Sequence, residues 1–323
     1  MDARPPQVLV TGGTGSFGRA FVRRLLRERA DCTIRIYSRD ELKQYEMARA
    51  FGNDPRLRFF IGDVRDRDRL ARALYGVDWL VHAAALKQVH LCEYNPAEAV
   101  KTNVLGAQNV IDAAIDAGVA KVVALSTDKA VNPVNLYGAT KLCAEKLFVH
   151  GSAYSGPRET RFACVRYGNV LGSRGSVVPL FLEQAATGVL PITDLRMSRF
   201  WITLGQAVEL VLQVLHDLRG GEIYVPKIPS MRMVDLARAI APEAMLKEVG
   251  MRPGEKLHEM LLTPEEAHRT REYATHFVVS RTTPRSDGRP VSEDFAYRSD
   301  TNSQWLDVDR LRELVHELAG DER

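Results

Sequence analysis

The chain has 323 residues, 45% of them hydrophobic, with 44 basic against 41 acidic side chains and a formal net charge of +3. That is apolar material for one large domain or an interleaved pair, and too even a charge for a protein that coats nucleic acid or a membrane surface. No apolar run reaches bilayer length and the start, MDARPPQVLVTGG, lacks the apolar stretch of a secretory signal; a cytoplasmic protein without nucleic-acid or membrane partners is expected.

QVLVTGG reads as a strand, followed by a helix near Phe17 to Arg29 with Phe17, Ala20, Phe21 and Leu25 on one face. Between them VTGGTGSFG sets Gly12, Gly15 and Gly18 at three-residue spacing. A turn free of side chains lets the backbone approach a pyrophosphate, whose charge the unpaired N–H groups of the helix start can take. Alone such a loop is only a tight turn; the strand before it and the repeating units after it make it a dinucleotide site.

The second strand, TIRIYS, ends in Ser38 and Arg39, with Lys43 a helical turn on, where an NAD enzyme usually carries an acid for the ribose. A hydroxyl and two cations suit the 2′-phosphate of NADP. Asp40 is either the ribose ligand or the N-cap of the next helix. LRFFIGD, WLVHAAA, KVVALST and FACVRYG repeat the strand pattern, apolar at nearly every position. Such strands belong in a parallel sheet covered on both faces, so a Rossmann-type, doubly wound α/β domain is expected over residues 1–168.

The fifth strand runs into LSTDKAVNPVNLYGATK. Tyr137 and Lys141, four apart, share a helix face, and the Lys141 ammonium is expected to lower the phenol's pKa enough for it to take a hydroxyl proton. Just upstream stands Asp128-Lys129, either chemically active or a plain ion pair on a loop.

After Gly168 the loops turn rich in Gly, Pro, Ser and Arg (GSRGSVVP, LPITDLRMSRFWIT, PKIPSM, GMRPGEK), which predicts a smaller substrate-binding unit over 169–323. It is interleaved with the first, because a segment at about 204–225 containing GQAVELVLQVLHDL returns to the large sheet. From about Phe277 the chain reads as a polar tail closed by an amphipathic helix, DVDRLRELVHEL. Cys32, Cys92, Cys143 and Cys164 are widely spaced and read as small core residues; LHEM at His258-Glu259 lacks a second histidine, and no metal is expected.

TGGTGSFG, YSRDELKQ, FFIGDVRD, HAAALKQV, LSTDKAVNPVNLYGATKL, RYGNVLGSRGSVVP, RMSRFWIT, PKIPSM and RPGEKLHEM together resemble the extended short-chain dehydrogenase/reductases. Within that family they are similar to the inverting UDP-N-acetylglucosamine 4,6-dehydratases, hydro-lyases that open pseudaminic acid biosynthesis, from Val8 to Leu261. The resemblance implies NADP contacts by Gly12, Thr14, Gly15, Ser16, Phe17, Gly18, Ser38, Arg39, Lys43, Asp63, Val64, Ala83, Ala84, Lys87, Asn103, Tyr137 and Lys141. It implies UDP-sugar contacts by Lys87, Asn169, Thr193, Arg199, Arg252 and Glu255, and a homo-oligomer, dimer or hexamer.

Most sugar dehydratases of that family carry Asp-Glu where this chain has Asp128-Lys129, and the replacement marks the inverting branch. By resemblance, Thr127 and Tyr137 contact the 4-hydroxyl, Tyr137 takes its proton, Lys129 removes the carbon 5 proton and Asp128 assists loss of the carbon 6 hydroxyl. Lys129 then needs burial or a neighbouring cation such as Lys141 to be neutral, and Asp128 must keep a proton. His90 and Cys92 depart from the family's usual Pro and small residue at the expected pocket rim. Two other readings stay open: an NADP-dependent nucleotide-sugar epimerase or reductase, which needs only Tyr137 and Lys141, and an NADP-sensing regulator, which has no use for that pair.

Overall fold

The computed structural model describes residues 6–173 and 176–321, so Arg174 and Gly175 of the GSRGSVVP stretch lie outside it. β1 (Gln7–Thr11), α1 (Ser16–Glu28), β2 (Thr33–Ser38), α2 (Glu41–Ala50), β3 (Leu57–Ile61), α3 (Arg67–Leu74) and β4 (Trp79–His82) alternate as their hydrophobic periods require. A longer crossover, α4 (Val89–Tyr94), α5 (Pro96–Val100), a π-helical turn at Lys101–Leu105 and α6 (Gly106–Ala117), leads to β5 (Lys121–Thr127). A 3-10 turn at Asp128–Ala130 then precedes the long α7 (Leu136–Tyr154) and β6 (Arg161–Tyr167).

These strands lie parallel in the order β3-β2-β1-β4-β5-β6. The order reverses between β1 and β4, which opens a crevice beyond the carboxyl ends of the strands. Register brings the strand ends level at that crevice: Thr11 pairs beside Tyr37 and His82, and Thr127 beside Tyr167. Val8, Leu9, Val10, Ile34, Leu80 and Val122 are fully buried, as strands covered on both faces must be.

The chain continues through β7 (Asn169–Val170), α8 (Val177–Ala185), β8 (Val189–Ile192), β9 (Ser198–Ile202), α9 (Leu204–Asp217), β10 (Glu222–Pro226), β11 (Ser230–Arg232), α10 (Met233–Ile240) and β12 (Met245–Glu248). It ends with β13 (Met260–Leu262), α11 (Pro264–Ala267), β14 (Thr270–Glu272), β15 (His276–Ser280), β16 (Arg289–Pro290), β17 (Tyr297–Arg298) and α12 (Val308–Asp321). α9 packs on α1, β5 and β6, and Val211, Val214 and Leu215 join the main core. Leu171, Phe181, Leu190, Trp201, Met231, Leu236 and Leu311 form a separate, smaller core.

The polar tail expected from Phe277 is a correction. β10 pairs parallel to β6, and β15, buried along its whole length, pairs antiparallel to β10 and carries β14 and β16 outward. HFVVS is a short apolar run hidden among charged neighbours, and its burial depends on a strand more than fifty residues earlier, so no local period announces it. Cys143 also differs from expectation: it is exposed on α7, whereas Cys32, Cys92 and Cys164 are buried.

A buried ion triad ties the two halves together. The Arg166 guanidinium of β6 makes paired bonds to Glu145 of α7 (2.6 and 3.0 Å) and to Glu266 of α11 (2.8 and 3.0 Å), and Ser126 donates to Glu145 at 2.7 Å. Bidentate geometry satisfies both carboxylates, which is what makes such burial tolerable.

Candidate active site

A cavity of about 600 Å³ runs along the carboxyl ends of the strands, from the Gly-rich loop through β5 to β7 and the start of α9. Its first wall is the turn after β1. Gly12 has φ +66°, and a Cβ there would lie 2.9 Å from the Ala84 N, so only glycine lets the loops after β1 and β4 approach so closely. His82, which the sequence did not single out, fixes that approach: its Nδ1 bonds the Thr11 hydroxyl at 2.8 Å, and the Ala84 N–H donates to the same hydroxyl. Burial pushes the His82 imidazole down to about 3, with the Lys141 charge adding to the effect, so it is neutral.

The N-cap of α1 is Gly15, which has no side chain to cap the helix, so among the described residues the first turn leaves its N–H groups uncapped towards the cavity. Thr14, Ser16, Phe17 and Gly18 line the same wall. At the end of β2, Ser38, Arg39, Asp40 and Lys43 line the cavity together. Asp40 serves as the N-cap of α2, accepting from the Lys43 N–H at 3.0 Å and pairing with the Lys43 ammonium at 2.9 Å. Arg39 lies 3.7 Å from Asp63, whose carboxylate is held mainly by Arg65. Asp63, Val64, Ala83, Ala84 and the exposed Lys87 complete this half. An uncapped helix start and a glycine cradle fit the pyrophosphate of a dinucleotide.

Asn103 stands off the wall: buried in the π-helical turn, its carboxamide holds the Leu86 N–H and carbonyl at 2.8 and 2.9 Å and donates to the Thr140 hydroxyl. It braces the loop carrying Lys87.

The chemical half is built by β5 and α7. Gly138 lets α7 lie against the 3-10 turn, since a Cβ there would collide with the Lys129 carbonyl. Asn135 caps α7 by accepting from the Gly138 N–H at 2.7 Å and donates to the Gly254 carbonyl at 2.7 Å. Thr127, Lys129, Tyr137, Lys141 and Asn169 all line the cavity. Asp128 is fully buried beneath it, its Oδ1 accepting from the Thr127 hydroxyl at 2.9 Å and from the Lys129 ammonium at 3.0 Å. The ammonium also reaches the Asn169 carboxamide oxygen at 3.4 Å.

Electrostatics here correct two expectations. Burial raises the Tyr137 phenol to about 12, against the Lys129 charge and a Thr127 hydrogen bond that pull it down; Lys141 instead donates to the Leu125 carbonyl at 2.7 Å. Lys129 is not driven neutral either. Burial works in that direction, but Asp128 and the carboxylate of Glu259, 3.6 Å away, outweigh it and hold the ammonium above the usual lysine range. Asp128 itself is raised, by burial first and by Glu259, although Lys129 opposes the shift, so it does favour keeping a proton.

The remaining substrate residues do not line the cavity. The Arg199 guanidinium is buried and donates to the carbonyls of Ser198, Lys256 and Leu257, which leaves it little for a pyrophosphate. Thr193 is half-buried in the turn between β8 and β9, and the exposed Arg252 donates its N–H to the Glu255 carboxylate at 3.3 Å. Cys92 packs with Ala99 and Tyr137, while His90 is exposed on α4. Glu259, which carries no signal in the sequence beyond the incomplete metal motif LHEM, is the second carboxylate at Lys129, 3.6 Å from its ammonium.

A family model described as polysaccharide biosynthesis protein matches residues 8–281. UDP-N-acetylglucosamine 4,6-dehydratase (inverting) of Campylobacter jejuni is 49% identical over 97% of this chain and 98% of its own length. UDP-glucose 4-epimerase of Rickettsia conorii is 44% identical over 88% of this chain and 84% of its own. Of solved structures, Pen from Bacillus thuringiensis aligns with TM-score 0.90 at 37% identity over 99% of both chains. A dTDP-glucose 4,6-dehydratase from Streptomyces venezuelae, with NAD and TYD bound, aligns with TM-score 0.73 at 26% identity over 98% of both. With a match across most of its length and a fold shared with nucleotide-sugar dehydratases, the chain belongs to the polysaccharide biosynthesis protein family.

Proposed function

We propose that the protein is an inverting UDP-N-acetylglucosamine 4,6-dehydratase that works with NADP. The observation that carries this is the Asp128-Lys129 pair, hydrogen-bonded at 3.0 Å, with Lys129 on the cavity that also holds Tyr137, Lys141 and the dinucleotide cradle, and Asp128 beneath it. A bound nicotinamide would accept the hydride from carbon 4 and return it to carbon 6 once water has left, so that none is consumed. Tyr137, beside Thr127, takes the proton of the 4-hydroxyl. Once carbon 4 is a ketone the neighbouring C–H is acidic, and Lys129 removes the carbon 5 proton. Asp128, kept protonated by burial, gives its proton to the departing carbon 6 hydroxyl, which leaves as water. Reprotonation of carbon 5 from the opposite face inverts it, giving UDP-2-acetamido-2,6-dideoxy-β-L-arabino-hexos-4-ulose.

Ser38, Arg39 and Lys43 support NADP over NAD, since Asp40 is engaged as a helix cap. The smaller core and the loops around Asn169 and Arg252 would form the sugar-nucleotide side, as the substrate-binding unit of the chain. The pseudaminic acid pathway, a dimeric or hexameric assembly and a cytoplasmic setting are carried by the resemblance alone; among the described residues no helix is long and apolar enough to cross a membrane.

A second reading, nucleotide-sugar 4-epimerase, draws on the Rickettsia relative. It uses Tyr137 and Lys141 and leaves Asp128-Lys129 without a task. Incubation with UDP-N-acetylglucosamine in deuterated water separates them by NMR. Dehydration gives an L-arabino 4-keto product deuterated at carbon 5, with no net use of nicotinamide. A UDP-N-acetylgalactosamine product without deuterium would overturn the dehydratase reading.

A further inference from the structure

Glu259 lies just before β13 and is 3% exposed. Its N–H donates to the Ser299 hydroxyl at 2.9 Å and its carbonyl accepts from the Ser299 N–H at 2.9 Å, so the backbone is pinned on both sides. A carboxylate this deep needs cations, and three surround it: Lys129 Nζ at 3.6 Å, Lys256 Nζ at 3.5 Å and Arg199 Nε at 3.9 Å. Lys256 donates to the Val131 carbonyl at 2.6 Å, and Arg199 is committed to carbonyls as described above. Oε2 accepts no hydrogen bond among the described residues. Of the three cations only Lys129 lines the cavity.

The arrangement makes the base's own charge part of a buried cluster. Lys129 faces Asp128, Glu259, Asn169, Tyr137 and Arg199; Glu259 faces Lys129, Arg199 and Lys256, while His258 beside it turns to the Ser198 hydroxyl and to the acids Asp194 and Asp300. We propose that Glu259 is a positioning residue for the elimination step: its carboxylate is the counter-ion that holds Lys129 as an ammonium at rest and thereby sets the pH at which the amine becomes available. This rests on the reading of Lys129 as the base. Lys256, by neutralising Glu259 from the far side, weakens that hold.

The direction follows from Coulomb's law. If the neutral amine is the active form, turnover rises with pH through the Lys129 ionisation. Removing the Glu259 charge makes the ammonium easier to deprotonate and moves the rising limb down; removing Lys256 strengthens the net negative field and moves it up. The test is kcat for carbon 5 exchange with solvent against pH, in Glu259→Gln, Glu259→Asp and Lys256→Met, with NADP binding measured as a check on folding. Glu259→Gln should shift the limb down by about one pH unit or more. Glu259→Asp should bring it back towards the parent, and Lys256→Met should shift it up. An unmoved limb in folded Glu259→Gln, or the same direction of shift in Glu259→Gln and Lys256→Met, would overturn the proposal; should Glu259→Gln fail to fold, Lys256→Met decides alone, an upward shift supporting the proposal and an unmoved limb overturning it. Exchange persisting in Lys129→Ala would instead strike the dehydratase mechanism, so the two failures are told apart.

Discussion

The Lys129 ammonium donates to Oδ1 of Asp128 across 3.0 Å, while the other oxygen of that carboxyl is buried with no hydrogen-bond partner among the described residues. In the proposed mechanism one oxygen would anchor the base and the other would carry the acid's proton. Lys129→Ala should bind NADP normally and oxidise carbon 4, seen as transient nicotinamide absorbance in a single turnover. It should lose dehydration by about 10³-fold. Tyr137→Phe should show neither absorbance nor dehydration. Absorbance in both variants, or in neither, contradicts the division of labour between the two residues.

Arg39 and Lys43 flank the Ser38 hydroxyl where β2 meets the cavity, each already leaning on an acid. Charge-assisted bonds to a 2′-phosphate contribute roughly 1.5–3 kcal/mol each. Arg39→Ala should therefore weaken NADP by about 10- to 100-fold while leaving NAD nearly unchanged, measured by titration calorimetry. Equal losses for both nucleotides would mean that the cations do not read the phosphate.

Arg166 neutralises two carboxylates in the interior, so Arg166→Met strands both. The expected loss is about 3–5 kcal/mol, a fall in Tm on the order of 10 °C by calorimetry at neutral pH. Acid should partly rescue the variant, because the stranded Glu145 and Glu266 can then be buried neutral. A uniform loss across pH would point to packing rather than charge.

His82 is buried as a neutral imidazole, with its folded value pushed down to about 3 from 6.5. The unfolded chain binds a proton below 6.5 that the folded one refuses, so this contribution to stability is complete above that pH and drains away as pH falls towards 3. Its slope is about 1.4 kcal/mol per pH unit. His82→Gln should flatten the dependence of Tm on pH between neutral and mildly acidic buffer; an unchanged slope would assign the acid sensitivity to other groups.

The doubly wound half was legible because its signals are local. β1 to β6 are short apolar runs of β-branched, leucine and aromatic residues, and the Gly12 turn and the Tyr137–Lys141 spacing each sit within one element or its edge. Asp128-Lys129 could be read because the strand end that presents it is adjacent in sequence. What was missed is long-range. Glu259 meets Lys129 across 130 positions and Arg166 meets Glu266 across 100, and no spacing rule joins residues so far apart. The same distance hid β15, and it kept from view the surroundings of Arg199, expected as a UDP-sugar contact: only the folded chain shows its donors committed to backbone carbonyls.

Asn135, which starts the helix bearing Tyr137 and Lys141, is itself held by the Gly254 carbonyl, and the counter-ion of Lys129 lies five residues further on. During synthesis, then, the reactive helix leaves the ribosome long before the parts that brace and charge it. On the proposed mechanism, the acid–base site is complete only once the final quarter of the chain has emerged, because the Gly254 carbonyl and the Glu259 carboxylate both lie there.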